Sequence, residues 1–249
     1  MKRYLIFLFL IPFFCFGQTN TIDKKGWKQG AWAKYYPDNK TAIYTGQFKD
    51  NKPFGEFRYY FSSGKLKAII QHQDKNNLSY ARFYFENEQL MSEGRYKQMK
   101  RDSLWINYSS EGFIISREMY ISDKLNGLRV TYYLEGQIED TEKMLTIENY
   151  KDSLLHGSFE AFFMKGNCKE KGGYLKGKKE GEWLTFNSNN VLITRSNYKN
   201  DLLQGWTYGY DIKGKLLGKL FYNKGIVLKG DDLDEYFKYC EKNGIDPNN

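Results

Sequence analysis

From about residue 30 onward, apolar and polar positions alternate in short stretches bounded by Gly, Ser, Asn, Asp or Lys. Glu56 to Phe61 is one such stretch, rich in aromatics, and suits a β-strand. Ser62-Ser63-Gly64-Lys65 then supplies turn residues, with Gly64 at the φ > 0 position that closes a short hairpin loop. Leu66 to Gln71 is the return strand. The link to the next stretch is polar and often basic, as in Lys49-Asp50-Asn51-Lys52 or Gly177-Lys178-Lys179. Helical spacing shows only near the end. Leu233, Tyr236, Phe237 and Cys240 share one face of a predicted helix over 231–243, with Asp231 as N-cap, Asp234 and Glu235 in the first turn and Gly244 as the stop.

Another pattern opens the chain. After Met1-Lys2-Arg3, residues 4–16 are apolar except for Pro12, a run too short for a comfortable membrane span. Residues 1–17 have the make-up of a secretory signal peptide, with Cys15 and Gly17 at the small-residue positions if cleavage precedes Gln18. Cys15 as a lipoprotein anchor is the alternative, with bulky Phe14 before it. The expectation is an exported protein: periplasmic, outer-membrane-associated or extracellular.

The alternating stretches are periodic. Gly or Ser, any residue, an aromatic, two residues and another aromatic recur from anchors at Gly30, Gly55, Ser79, Ser103, Gly127, Gly157, Gly181 and Gly205, at spacings of 25, 24, 24, 24, 30, 24 and 24. Five residues after each anchor stand Tyr35, Tyr60, Tyr84, Tyr108, Tyr132, Phe162, Phe186 and Tyr210. Seven before each next anchor stand Phe48, His72, Tyr96, Tyr120, Tyr150, Tyr174 and Tyr198, with Tyr222 continuing the series. Gly64, Gly112, Gly136, Gly166 and Gly214 recur at the turn, nine after their anchors. A fixed period of this length marks a repeat architecture. The fold class expected is all-β: an elongated meander of about eight stacked β-hairpins over 18–230, closed by a short amphipathic helix and tail over 231–249. One hairpin alone is marginal in water, whereas stacked ones share ladders of aromatic cross-strand pairs, each contributing about 0.2–1 kcal/mol. The fifth unit is six residues longer than its neighbours, between Gly136 and Tyr150, and reads as a lengthened hairpin or a bulged loop. The terminal helix is expected to fold onto the last hairpin and shield the open sheet edge.

Composition fits this picture. With 18 Phe, 21 Tyr and 5 Trp in 249 residues, disorder is excluded, and three Cys are too few for a disulfide scaffold. After cleavage the chain keeps Cys168 and Cys240, whose pairing the sequence leaves open. Loss of Lys2 and Arg3 lowers the net charge from +8 to +6, spread without a concentrated basic stripe, so no nucleic-acid partner is expected.

Tyr174-Leu-Lys-Gly177-Lys-Lys-Glu-Gly181-Glu-Trp183 resembles a MORN repeat of the bacterial variant type, and Phe48 to Tyr60 and Tyr198 to Trp206 are similar to it. In register, the resemblance covers about residues 23–230; Ser79, Ser103 and His72 depart from it. It implies an elongated sheet of hairpins used for binding, with no common catalytic residues. Bacterial relatives carry an antitoxin-like label.

Candidate chemistry is sparse. His72 and His156 are the only two His, and with three or so repeats between them they stand roughly 30 Å apart, too far to share a metal. His72 reads as a substituted ladder residue and His156 as a loop residue. No Cys-x-x-Cys, His-x-x-x-His, Gly-x-Ser-x-Gly or phosphate loop is present. Ser153 and Cys168 lack a neighbouring base, and Glu56 and Glu182 hold equivalent positions rather than forming a distinctive carboxylate pair. No catalytic, cofactor or metal residues are expected. The candidate binding surface is the row two residues after the anchors, Trp32, Phe57, Trp105, Phe159 and Trp183, whose alternative role is ladder packing. Three partners are weighed: another protein of the cell envelope, an anionic lipid or glycan met by the Lys-rich links such as Lys176 to Lys179, and a toxin.

Overall fold

The structure, a computed structural model, describes residues 19–37, 40–73, 77–134 and 142–248. The expected signal peptide, with Cys15, and the turn glycine Gly136 lie outside the described residues. Strands β1 (Thr21–Ile22), β2 (Lys28–Tyr35), β3 (Ala42–Lys49), β4 (Lys52–Tyr60), β5 (Leu66–His72), β6 (Leu78–Tyr84), β7 (Leu90–Lys97), β8 (Lys100–Tyr108), β9 (Ile114–Ile121) and β10 (Lys124–Tyr132) follow one another. They continue with β11 (Met144–Lys151), β12 (Leu154–Phe162), β13 (Cys168–Leu175), β14 (Lys178–Phe186), β15 (Leu192–Lys199), β16 (Leu202–Leu203), β17 (Gly205–Tyr210), β18 (Leu216–Asn223) and β19 (Ile226–Leu228), and end in helix α1 (Gly230–Asn243). Each strand pairs antiparallel with its sequence neighbours. β16 and β17 are two parts of one strand, both paired with β15. The chain is thus the expected meander of stacked hairpins with one C-terminal helix.

Two kinds of turn alternate. Inside a hairpin, Phe61 donates its N–H to the Lys65 carbonyl and Gly64 to that of Phe61, with Gly64 at φ 85°. That is a three-residue loop whose last residue must be left-handed. Glu88 and Asn190 adopt the same conformation without being glycine. Between hairpins, two residues with positive φ make the bend, as at Asp50-Asn51, Ser122-Asp123 and Asn200-Asp201, the geometry whose twist matches paired strands. The extra residues of the fifth unit fall in the connection between Tyr132 and Met144, because pairing resumes in ordinary register beyond that pair.

The anchors make a bulge. Thr45 faces Arg58 and Gln47 faces Phe54, so Gly46 alone is matched by the three residues Gly55, Glu56 and Phe57. The same two-residue surplus occurs where β8, β10, β12 and β14 meet the strand before each, and where β16 and β17 meet β15. It rests on an anchor at positive φ: Gly55 at 66°, Gly181 at 73°, and Ser103 at 63° despite its side chain. Ser79 is the exception. β5 and β6 pair without a break from Ala68↔Phe83 to His72↔Ser79, and the two residues the other units spend on a bulge lie in the connection before Leu78.

α1 begins one residue earlier than its sequence suggests. Its N-cap is Lys229, without a side-chain cap bond, and Asp231 and Asp232 rather than Asp234 and Glu235 occupy the first turn. Gly244 ends the helix at φ 61°. The helix packs on the face of the last hairpin: Phe237 lies 5.0 Å from Phe221 and 6.5 Å from Trp206, and Tyr236 lies 5.7 Å from Phe221. It leaves the sheet edge at Leu216, Leu217 and Leu220 exposed.

Candidate binding surface

Cross-strand register sorts the side chains onto two faces. One, the ladder face, carries the residue two after each anchor together with those seven and nine before the next. Phe57 leans across its bulge over Gly46, where an added Cβ would lie 2.5 Å from the ring. Trp105 does the same over Gly94, and Trp183 over Gly172, at 2.3 and 2.2 Å. Each indole donates to a carbonyl of the strand beneath: Trp105 Nε1 to Arg95 O and Trp183 Nε1 to Gly173 O, both 3.1 Å. Rings from the flanking row close the sides edge-on, Tyr96 5.0 Å from Trp105, Tyr174 5.1 Å from Trp183 and Phe48 5.2 Å from Phe57. Lys179 Nζ sits 3.7 Å over the Trp183 ring.

This geometry changes the part played by the predicted contact row. Phe57, Trp105 and Trp183 are only 2–3% exposed. They are packing groups, and the bulge is the reason, since it folds each ring down onto its own sheet. Trp32 and Phe159 are half-buried in the same row. The ladder residues Tyr60, Tyr84, Tyr108, Phe162, Phe186 and Tyr210 are half-buried on the other face, with Tyr132 buried and Tyr35 exposed.

The fifth unit fills the same slot with ions. Arg129 stands where Trp105 and Trp183 stand, with Glu118 where the others have Gly94 and Gly172. Arg129 Nε meets Glu118 Oε1 at 3.1 Å, and its Nη1 meets Glu148 Oε2 at 3.3 Å. Ser116 Oγ and Tyr120 Oη donate to Glu118 at 3.0 and 2.8 Å, and Thr146 Oγ1 and Tyr150 Oη to Glu148 at 3.1 and 2.9 Å. Burial, then the Glu118 carboxylate, push the Tyr120 phenol up to about 12. Although burial opposes it, the Arg129 guanidinium is pushed up by Tyr150 and the two carboxylates. Every carboxylate oxygen of the rung has a donor, so the group is a closed structural network rather than a site aimed at a ligand.

The opposite face carries the residue one after each anchor and the one eight before the next. There Leu104 faces Met119 directly, and Met119 Cβ would lie 3.3 Å from a Cβ on Gly127, beside Leu128. These three are 44, 37 and 48% exposed. Tyr80 holds the same position one unit earlier, its hydroxyl donating to Glu93 at 2.7 Å. Burial raises the Glu93 carboxyl, but hydrogen bonds from Tyr80, Tyr108 and Arg82 outweigh it and hold the group below its usual range. In other units these positions hold Ala31 and Gln47, Glu56 and Gln71, Ser158 and Gly173, or Glu182 and Asn197. The sequence signal for this cluster is the row one residue after the anchor, which carries a large apolar or aromatic side chain only at Tyr80, Leu104, Leu128 and Trp206.

The remaining candidates are dispersed. His72 takes a ladder position edge-on to Phe57 at 5.2 Å; its Nδ1 lies 2.9 Å from Ser79 Oγ, and burial lowers its pKa. His156, expected in a loop, is instead in β12 at the bulge, beside Gly157, with six strands between it and the strand of His72. Among the described residues no three His, Cys, Asp or Glu side chains converge on a metal-sized site. Cys168 and Cys240 are both free thiols. Of the basic link, Lys179 is engaged with Trp183 and with Glu170 at 2.8 Å, while Lys176 and Lys178 are exposed.

No curated protein matches this chain. Residues 55–74, 80–98 and 179–200 match the family described as MORN repeat variant. These segments begin close to Gly55, Ser79 and Gly181, each taking in the hairpin that follows, and these three hairpins of the sheet are therefore MORN repeats of the variant type.

Proposed function

We propose that this is a non-enzymatic, exported repeat scaffold that binds another protein of the cell envelope. The observation that carries the reading is the Leu104–Met119–Leu128 cluster, a solvent-facing apolar patch in the middle of a face whose corresponding positions are otherwise mostly polar. The ladder face supports it by contrast: Phe57, Trp105 and Trp183 are consumed in holding the repeats together, and only the half-buried Trp32 and Phe159 of that row keep some surface. The antitoxin-like variant of this reading has a toxin as the protein bound. The lipid or glycan variant would draw, in this link, on Lys176 and Lys178, because Lys179 is already committed to Glu170 and Trp183. Export is tested by the N-terminal sequence of the mature chain, expected to begin at Gln18. Binding is tested with a photo-crosslinking side chain at Leu128 and, as control, at Glu182 in the seventh unit. One discrete adduct from Leu128 and none from Glu182 is expected; identical patterns from both would overturn the reading.

A further inference from the structure

We infer that the central cluster receives an amphipathic α-helix of the partner protein, docked as the chain's own α1 docks on the last hairpin. The inference rests on the protein-binding reading and names the element that binds. The two places are equivalent in the repeat. Trp206 and Phe221 face one another on β17 and β18 at the two positions that Leu104 and Met119 occupy on β8 and β9. At the C-terminal end the pair is covered by Tyr236 and Phe237 of α1, and Phe221 is left 1% exposed. In the centre the pair is bare and is widened by Leu128. The molecule therefore displays, once covered and once open, the same two-position platform.

An extended peptide fits the open platform poorly. β8, β9 and β10 are paired along both edges, so no backbone edge is free to add a strand there. A segment crossing this face must satisfy its own backbone hydrogen bonds, which a helix does internally. The spacing of α1 narrows the class further: Tyr236 and Phe237, which cover the closed pair, stand three and four residues after Leu233. Beside the open platform, the guanidinium groups of Arg82 and Arg95 are already paired with Glu93 and Asp102, so recognition rests on the apolar pair rather than on charge. The partner helix is one with apolar side chains at i, i+3 and i+4.

The test maps the partner residue joined to the Leu128 crosslinker in the full chain by mass spectrometry. A synthetic peptide spanning it is then titrated against the full chain. Expected is a segment with that spacing, which gains helical circular dichroism on binding. Its affinity should fall about tenfold or more in Leu104→Lys/Leu128→Lys and hold in Glu182→Lys. The substituted sites are exposed, and an unchanged urea midpoint confirms that the double variant is folded. A peptide that binds without gaining helix, or binds the double variant as tightly, overturns the inference while leaving the protein-binding reading standing. No protein adduct from Leu128 at all overturns both.

Discussion

The fourth and seventh units and the fifth fill one slot of the repeat in two ways. Trp105 and Trp183 lie on Gly94 and Gly172, and the indole needs only the empty glycine surface, one carbonyl and an edge-on tyrosine. Arg129 fills the slot between Glu118 and Glu148, and each carboxylate calls in two hydroxyls of its own. The backbone is the same in both, bulge included. The slot thus demands filled volume and satisfied polar groups, not aromaticity. The ring version tolerates a change in its neighbours, whereas the ionic version fails when one member leaves, because what remains is charged and half-dry.

The sharpest break of that equivalence is Trp183→Ala. It removes a fully packed indole from a single-layer sheet and is expected to cost about 3–5 kcal/mol, read from the urea midpoint. Gly172→Ala should follow at about 1–3 kcal/mol, since its Cβ would lie 2.2 Å from the Trp183 ring and force it off the strand. Arg129→Leu is expected to cost about 1–3 kcal/mol, less than a deeply buried pair because the Arg129 side chain is 32% exposed. The triple variant Glu118→Gly/Arg129→Trp/Glu148→Gly should recover most of the Arg129→Leu loss by rebuilding the ring version. If it is less stable than Arg129→Leu, the two fillings are not interchangeable.

Proton linkage separates the two versions as well. Tyr120 donates to Glu118 and titrates at about 12, against an ordinary 10.0. A group whose folded pKa is raised stabilises fully below its unfolded value. The contribution of Tyr120 is therefore intact up to pH 10 and is lost as the pH rises towards about 12. Glu118→Gln should move the phenolate absorbance transition of Tyr120 downward while leaving it above the ordinary value, because burial is the larger cause.

The hairpins, their turns and the period were legible because strand alternation and turn glycines act locally. The burial of Phe57, Trp105 and Trp183 was not, because a bulge decides it, and the bulge depends on register between strands. The ionic slot left a trace nonetheless. The row nine before each anchor reads Gly46, Ile70, Gly94, Glu118, Glu148, Gly172 and Ser196, and it complements the row two after the anchors at most units: Gly before Phe57, Trp105 and Trp183, Ile70 before Ala81, Glu118 before Arg129 and Ser196 before Thr207, with Glu148 before Phe159 the departure, since Glu148 serves Arg129. Aromatic periodicity alone leaves Arg129 as a gap in the second row, although it is the partner of Glu118.

The smallest predicted effects set two serines against each other. Both replace the anchor glycine, and the sequence gives no reason to treat them differently. Ser103 keeps the bulge and carries φ 63°, a conformation glycine adopts without strain. Ser103→Gly is therefore expected to stabilise by up to about 1 kcal/mol, reduced by loss of the bond from its hydroxyl to Asp102. Ser79 lies in unbroken strand, is buried and holds His72, because its unit moved the two extra residues into the preceding connection. Ser79→Gly is expected to destabilise by about 1–2 kcal/mol, from backbone entropy and the lost bond together. Opposite signs at two positions that look alike in the repeat would show that the period of 24 is conserved by trading bulge for loop. Equal signs would mean that Ser79 also samples the bulged register.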